Sequence, residues 1–248
     1  MLNDRIADCG LKKVSFVASQ PVIPEADSES KIRNPQSAIR NMKGNLIIVS
    51  APSGAGKTTL VGEALKRDNQ VKTSISFTSR LARTGEEQGV HYHFVSRAEF
   101  EAMIADGDFL EWAEVHGNLY GTSRRVVEEA RAAGFDVILT IDIQGAAQAR
   151  NLFPGAIGVF VMPPSLDALA ERLENRGTDT VDDQQLRLNN ALHEIEQHVN
   201  FDYVVINDDL NRAIDELAAI ITAERCRLKR RSEIIARILK TFSNQGRR

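Results

Sequence analysis

Residues 46–59 read Leu46-Ile47-Ile48-Val49-Ser50-Ala51-Pro52-Ser53-Gly54-Ala55-Gly56-Lys57-Thr58-Thr59, and this stretch decides the fold. The apolar run Leu46 to Val49 has no polar alternation, as expected of a strand buried on both faces. A glycine-rich turn follows, and a helical pattern covers about Lys57 to Lys66. Strand, glycine-rich turn and helix in this order form a phosphate-binding loop, whose pattern is Gly, four residues, then Gly-Lys-Ser/Thr. Gly56-Lys57-Thr58 satisfies it, while Ala51 stands at the first glycine position. Gly54 and Gly56 let the backbone turn its N–H groups inward onto phosphate, and the helix start adds its unpaired N–H groups and positive dipole end. Ser53, Gly54, Ala55, Gly56, Lys57, Thr58 and Thr59 are therefore the predicted residues for binding a nucleoside triphosphate, which is ATP if the loop serves a kinase. Lys57 is expected to reach the β- and γ-phosphates, and Thr58 to ligate Mg²⁺.

Outward from this loop, Asp136–Ile141, Ile157–Val161 and Tyr203–Ile206 repeat the short apolar run. Helical periodicity lies between them, at about 123–133, 145–151, 165–175 and 184–198, and one long helix is expected over 210–240. Strands alternating with helices predict an α/β fold, a P-loop NTPase core whose parallel sheet is flanked by helices. Residues 73–122 break this rhythm. Strand-like pieces at Val90–Val95 and Phe109–Val115 surround Ser96-Arg97-Ala98-Glu99, a capping box that should start a short helix. The pattern is that of a small, mostly β insertion. Residues 1–43 lack periodicity and are rich in Pro, Ser and charge between Pro21 and Gln36, which predicts a flexible N-terminal extension. Met42, just before the first strand, is placed to serve as a translation start, a point that N-terminal sequencing of the native protein checks. The domain is expected to span 44–241, with 242–248 as a C-terminal tail.

Composition narrows the function classes. The 248 residues carry a formal net charge of -3, which gives no global attraction to nucleic acid or anionic membrane. No apolar run approaches a membrane span. Two cysteines, Cys9 and Cys226, make no disulfide framework and fit a reducing cytoplasm. His91 and His93 alternate and can share a strand face, but no third ligand accompanies them, so ordinary strand residues are expected. Arg225, Arg227, Lys229, Arg230 and Arg231 read as a solvated helical face.

Several spaced motifs resemble the guanylate kinase family, bacterial type, over about 44–241. They are the phosphate loop, Thr78-Ser79-Arg80-Leu81-Ala82-Arg83 with Ser76 before it, Gly89-Val90-His91-Tyr92-His93-Phe94, Phe109-Leu110-Glu111-Trp112, Tyr120-Gly121-Thr122, Ile141-Asp142-Ile143-Gln144-Gly145 and Asn207-Asp208-Asp209-Leu210. The resemblance implies an ATP-dependent kinase acting on GMP and dGMP, with a GMP-binding insertion at 73–122 and a helical lid at 172–187. Residue chemistry agrees. Arg80 and Arg83 can bind a phosphate dianion with forked, charge-assisted bonds, and the resemblance adds Tyr92 and Tyr120 there. Guanine presents N1–H and an amino group to carboxylates and O6 to a hydroxyl. By resemblance Glu111 and Asp142 supply the carboxylates and Ser76 and Thr122 the hydroxyls. Asp142 also ends an apolar strand, so a metal carboxylate is a second reading of it. Arg172, Arg176 and Arg187 match the family's lid arginines, which with Lys57 complete the expected catalytic set. Thr140 departs from the family, in which that position is often acidic, and the departure bears on how Mg²⁺ is held.

Two competing functions follow. A P-loop kinase for another phosphorylated acceptor, such as a ribose bisphosphate, would keep Lys57 and Thr58 without needing Ser76, Glu111 and Asp142 together. A non-catalytic binding module would tolerate decay of the loop, which here keeps Gly56-Lys57-Thr58 intact.

Overall fold

The computed structural model describes residues 42–115, 117–174 and 181–243, with the backbone alone for 181–187. Five parallel strands form the main sheet: β1 (Leu46–Ser50), β2 (Val71–Thr73), β7 (Asp136–Thr140), β8 (Ile157–Met162) and β9 (Tyr203–Ile206), in the order β2-β7-β1-β8-β9. Alternate residues of β1 enter two different cores, which explains its unbroken apolar run. Ile47 and Val49 pack with Leu60, Val61 and Ala64 of α1 (Lys57–Arg67) and with Ile214, Leu217 and Ile221 of α7 (Leu210–Cys226). Leu46 and Ile48 face Val127 of α3 (Arg124–Ala132) and Ala146 and Ala149 of α4 (Ile143–Leu152) on the other side.

A second, four-stranded sheet forms the insertion. It contains β3 (Phe77–Thr78), β4 (His93–Phe94), β5 (Phe109–Val115) and β6 (Asn118–Ser123), ordered β4-β3-β6-β5. Phe100 of α2 (Arg97–Ala105) packs with Phe109 and Leu119 in a separate small core. The capping box that starts α2 is present as expected, with Ser96 and Glu99 each accepting from the other's backbone N–H. α5 (Leu166–Glu174) and α6 (Val181–Glu196) pack through Leu169, Leu173, Leu188 and Ala191, and a 3₁₀ turn (Gln197–Asn200) leads into β9.

The structure departs from the sequence expectations in four places. Val71–Thr73 pairs at the edge of the main sheet, although three residues with one buried side chain leave no periodic signal. The strand expected at Val90–Val95 shrinks to His93–Phe94. His91 lies outside it and accepts from Glu87 N–H through Nδ1, while the His93 ring stacks on Phe77 at 4.5 Å. The long C-terminal helix breaks at Arg227, whose ψ of 136° is extended, before α8 (Leu228–Ser243). Finally, the basic stretch is only in part the solvated face expected: Arg227, Lys229 and Arg231 are exposed, while Arg225 and Arg230 are half-buried and engaged. Arg225 is paired with the buried Asp136 at 2.5 Å and with Asp68 at 2.7 Å, Arg227 holds Glu224, and Arg230 donates to the Lys43 carbonyl. No helix among the described residues is long and apolar enough to cross a membrane.

Candidate active site

The loop between β1 and α1 lies at the carboxyl end of the central strand, with β7 and β8 on either side. Such a point in an open parallel sheet is a natural crevice for ligands. Gly54 and Gly56 have φ of 90° and 88°, the left-handed region that favours glycine. Gly56 occupies the N-cap position of α1 without a side-chain cap bond. The loop is braced from behind by Asn207, whose Nδ2 donates to the Ala55 carbonyl at 2.8 Å. A Cβ at position 56 would stand 2.5 Å from that same Nδ2. Gly56→Ala is therefore expected to cost about 1–2 kcal/mol from backbone strain alone, plus the displacement of Asn207. A denaturant melt with an unchanged midpoint would contradict this.

Lys57 Nζ donates to the Ile141 carbonyl at 2.8 Å, at the end of β7. Burial pushes its ammonium pKa down, while the charges of Asp142, Glu194 and Glu111 push it up. The cation thus stands among three carboxylates. Thr58 and Thr59 are exposed on the first turn of α1.

The predicted base-recognition residues Glu111, Thr122 and Asp142 come together. Glu111 on β5 faces Thr122 on β6, and Thr122 Oγ1 donates to Glu111 Oε1 at 2.6 Å. Both are buried. Asp142 caps α4 by accepting from Gly145 N–H at 2.7 Å. Gly145 separates the two acids: a Cβ there would lie 3.1 Å from Glu111 Oε2 and 3.3 Å from Asp142 Oδ1. Burial, and secondarily the Asp142 charge, raises the Glu111 pKa, although the Thr122 hydroxyl opposes the shift.

A second cluster lies on the insertion sheet. Ser76 precedes β3, and its carbonyl accepts from His93 N–H at 2.9 Å. Tyr120 stands opposite Thr78 in the register, and the Tyr92 and Tyr120 rings meet edge-on at 5.9 Å. The Arg80 guanidinium lies over the Tyr92 ring, 5.6 Å from its centroid. Its fork is held by Glu86 at 2.8 and 2.9 Å, a partner that the sequence reading did not name. Glu86 also accepts from Arg83 N–H at 2.7 Å, whereas the Arg83 residue is exposed. The Arg80 side-chain bond, with the Arg83 N–H second, pulls the Glu86 carboxyl down to about 2.

The three arginines expected at a lid divide. Arg172 on α5 donates to the Asn207 carbonyl at 2.8 Å and to the Ala55 carbonyl at 3.5 Å, so it ties the loop to the end of β9. Arg176 lies outside the described residues. Arg187 belongs to α6, and its side chain lies outside them as well. The reading also missed Glu194, which accepts from Ser53 N–H at 3.2 Å.

A family model described as guanylate kinase matches residues 43–224. A guanylate kinase of Neisseria gonorrhoeae is 56% identical over 192 residues, covering 77% of this chain and 93% of that protein. One of Dechloromonas aromatica is 55% identical over 182 residues, covering 73% and 90%. The crystal structure of guanylate kinase from Anaplasma phagocytophilum superposes with a TM-score of 0.61 at 31% identity, covering 77% of this chain and 90% of that one. The intact phosphate loop, the paired carboxylates beside it and these likenesses agree: the chain belongs to the guanylate kinase family of nucleoside monophosphate kinases.

Proposed function

We propose that this enzyme transfers the terminal phosphoryl group of ATP to GMP, giving ADP and GDP, and that it also accepts dGMP within purine nucleotide metabolism. The observation that carries the acceptor assignment is the convergence of Glu111, Thr122 and Asp142 within reach of Lys57. Two carboxylates suit the N1–H and amino donors of guanine, and a hydroxyl suits O6. Adenine reverses this edge and leaves the buried acceptors unpaired. Ser76, which precedes β3 beside the second cluster, is assigned to the base by the resemblance alone. Recognition rests on base and phosphate, which supports the deoxy substrate. A cytoplasmic location is part of the proposal, since two cysteines make no disulfide framework.

In the reaction an oxygen of the GMP phosphate attacks the γ-phosphorus, and the bond to the β-bridging oxygen breaks as ADP leaves. The acceptor oxygen is already anionic, so no strong base is needed. Ser53, Gly54, Gly56, Thr58 and Thr59 offer backbone N–H groups to the donor phosphates, Ala55 shapes the turn by donating its N–H to the Pro52 carbonyl at 3.1 Å, and Lys57 supplies positive charge at the phosphoryl group. Arg80, Arg83, Tyr92 and Tyr120 hold the acceptor phosphate. Arg172, Arg176 and Arg187 are proposed to act from the lid, which excludes water from the donor.

Thr58 offers an exposed hydroxyl oxygen beside the loop, which fits a hard cation that keeps several waters and binds substrate phosphates. The described residues contain no group of three His, Cys, Asp or Glu able to cage a metal. When bound, Mg²⁺ would neutralise phosphate charge from Thr58. Asp142 Oδ1 is engaged as the cap of α4, and base recognition is the role proposed for this residue.

The test is ADP release measured with ATP and Mg²⁺ against GMP, dGMP, AMP, CMP and UMP. Turnover confined to the guanine nucleotides is expected, and turnover with none of them would overturn the acceptor assignment. Arg80→Ala should weaken GMP binding by about thirtyfold or more while changing ATP binding little. Equal losses for both nucleotides in a titration would contradict the phosphate assignment.

A further inference from the structure

Three consecutive residues of the phosphate loop are held from the lid side. Ser53 N–H donates to Glu194 Oε2 on α6 at 3.2 Å. Gly54 lies under Leu169 and Leu173 of α5, close enough that a Cβ there would stand 2.9 Å from Leu173 Cδ2. The Ala55 carbonyl receives Arg172. Because α5 and α6 share one apolar cluster, the base of this helical pair rests on the loop as a unit.

The Glu194 contact differs in kind from the other two. A carboxylate accepting a phosphate-loop N–H does what a phosphate oxygen does there. We infer that Glu194 is an internal stand-in for a donor phosphate oxygen, holding the Ser53 N–H in the empty enzyme and yielding it when nucleotide enters, so that donor binding frees α6 from the loop. This rests on the reading that the loop binds the donor phosphates, and it adds a positioning residue to that site.

Two physical arguments support it. One N–H points along one hydrogen bond well, so a phosphate oxygen and the Glu194 carboxylate compete for it. A carboxylate left beside an arriving polyphosphate would also repel it, while withdrawal towards solvent relieves both the repulsion and its own burial. Glu194 is half-buried, and its carboxyl is pushed up by that burial and by the Asp142 charge, with the Ser53 N–H and Lys57 opposing. It is held in a place that costs it hydration, as suits a contact meant to be given up.

The apparent affinity for a ligand is reduced by the fraction of molecules whose site is already taken. If Glu194 fills its place in about nine molecules of ten, freeing it tightens donor binding roughly tenfold. The experiment measures dissociation constants of ATP and GMP, each alone, for the full-length wild type, Glu194→Ala and Glu194→Gln, together with kcat. The expected result is ATP binding tightened roughly three- to tenfold in Glu194→Ala, with GMP binding unchanged. Glu194→Gln, which keeps the shape and an acceptor without the charge, should fall between. Unchanged or weakened ATP binding in both variants would overturn the inference and make Glu194 a structural brace or a contributor to donor binding. If the alanine variant fails to fold, the glutamine variant decides by the same comparison. A wild type that binds no ATP would instead overturn the donor reading, so the two failures are distinguishable.

Discussion

Lys57→Met is expected to lower kcat by at least about 10²–10³-fold, the loss typical of removing one preorganised charge-stabilising donor, while the protein still folds. Methionine keeps most of the lysine stem and removes the charge. In the native site the ammonium bonds the Ile141 carbonyl and stands among Asp142, Glu194 and Glu111. Burial lowers its pKa below the ordinary lysine value, and the charges of Asp142, Glu194 and Glu111 oppose that shift. The cation is thus already in position before any charge moves to the transferring phosphoryl group, and no reorganisation is needed at that moment. Its removal leaves Asp142, Glu194 and Glu111 without the cation they share. The fold should tolerate the change, since a desolvated charge is lost together with one hydrogen bond. Coupled ADP release and a thermal melt measure both effects. Activity within tenfold of the wild type at a native melting temperature would contradict the assignment.

Glu111→Gln is the second large effect. The amide keeps the volume, and its oxygen still accepts from Thr122 Oγ1. Where the carboxylate offers a second acceptor to guanine, the amide offers a donor, and donor meets donor. Disrupting one partner of a buried, charge-assisted pair costs about 2–5 kcal/mol, so kcat/KM for GMP should fall roughly thirtyfold to several thousandfold with KM for ATP nearly unchanged. A fall confined to ATP would place Glu111 in the donor site.

The same residue predicts a pH dependence. Its pKa is raised above the ordinary carboxylate value of 4.5, with burial the leading cause. On acidification it therefore takes up a proton at a higher pH than an exposed glutamate, and GMP affinity declines from that pH downward. The sign for stability is the reverse. The folded state binds this proton more readily than the unfolded chain, so the group's contribution favours folding as pH falls between the folded and unfolded pKa values. Loss of GMP binding on the acid side without loss of fold distinguishes Glu111 from acid denaturation. Glu86 behaves oppositely. Its pKa of about 2 means that its bond to Arg80 contributes fully above the ordinary carboxylate pKa and is lost as pH falls towards 2.

Much of the architecture was legible along the chain because its causes are local. The run Leu46 to Val49 is apolar at every position because successive side chains serve two cores, and that requirement appears directly as composition. Gly54 and Gly56 stand where φ is positive, and Ser96 with Glu99 caps α2, each within a few residues of its partner. The pairing of Glu111 with Thr122 was accessible only through family resemblance, since the cross-strand register that joins them has no signature in either residue alone.

What the sequence by itself determined was therefore the strand–loop–helix unit and the alternation that makes a parallel sheet, while the side chains proposed for phosphate and base were nominated through resemblance. The tertiary structure alone decided their partners. Glu194 reaches Ser53 across 141 residues, and Asn207 reaches Ala55 across 152. Arg225, in a stretch that reads as a solvated face, is drawn onto the buried Asp136. The break at Arg227 likewise accompanies a contact to Tyr203 that no helical periodicity encodes, beside an ordinary i,i+3 pair with Glu224. Periodicity and turn chemistry record what a residue needs from its neighbours on the chain. Which distant group meets it depends on the order β2-β7-β1-β8-β9, because that order sets which loops share the carboxyl edge of the sheet.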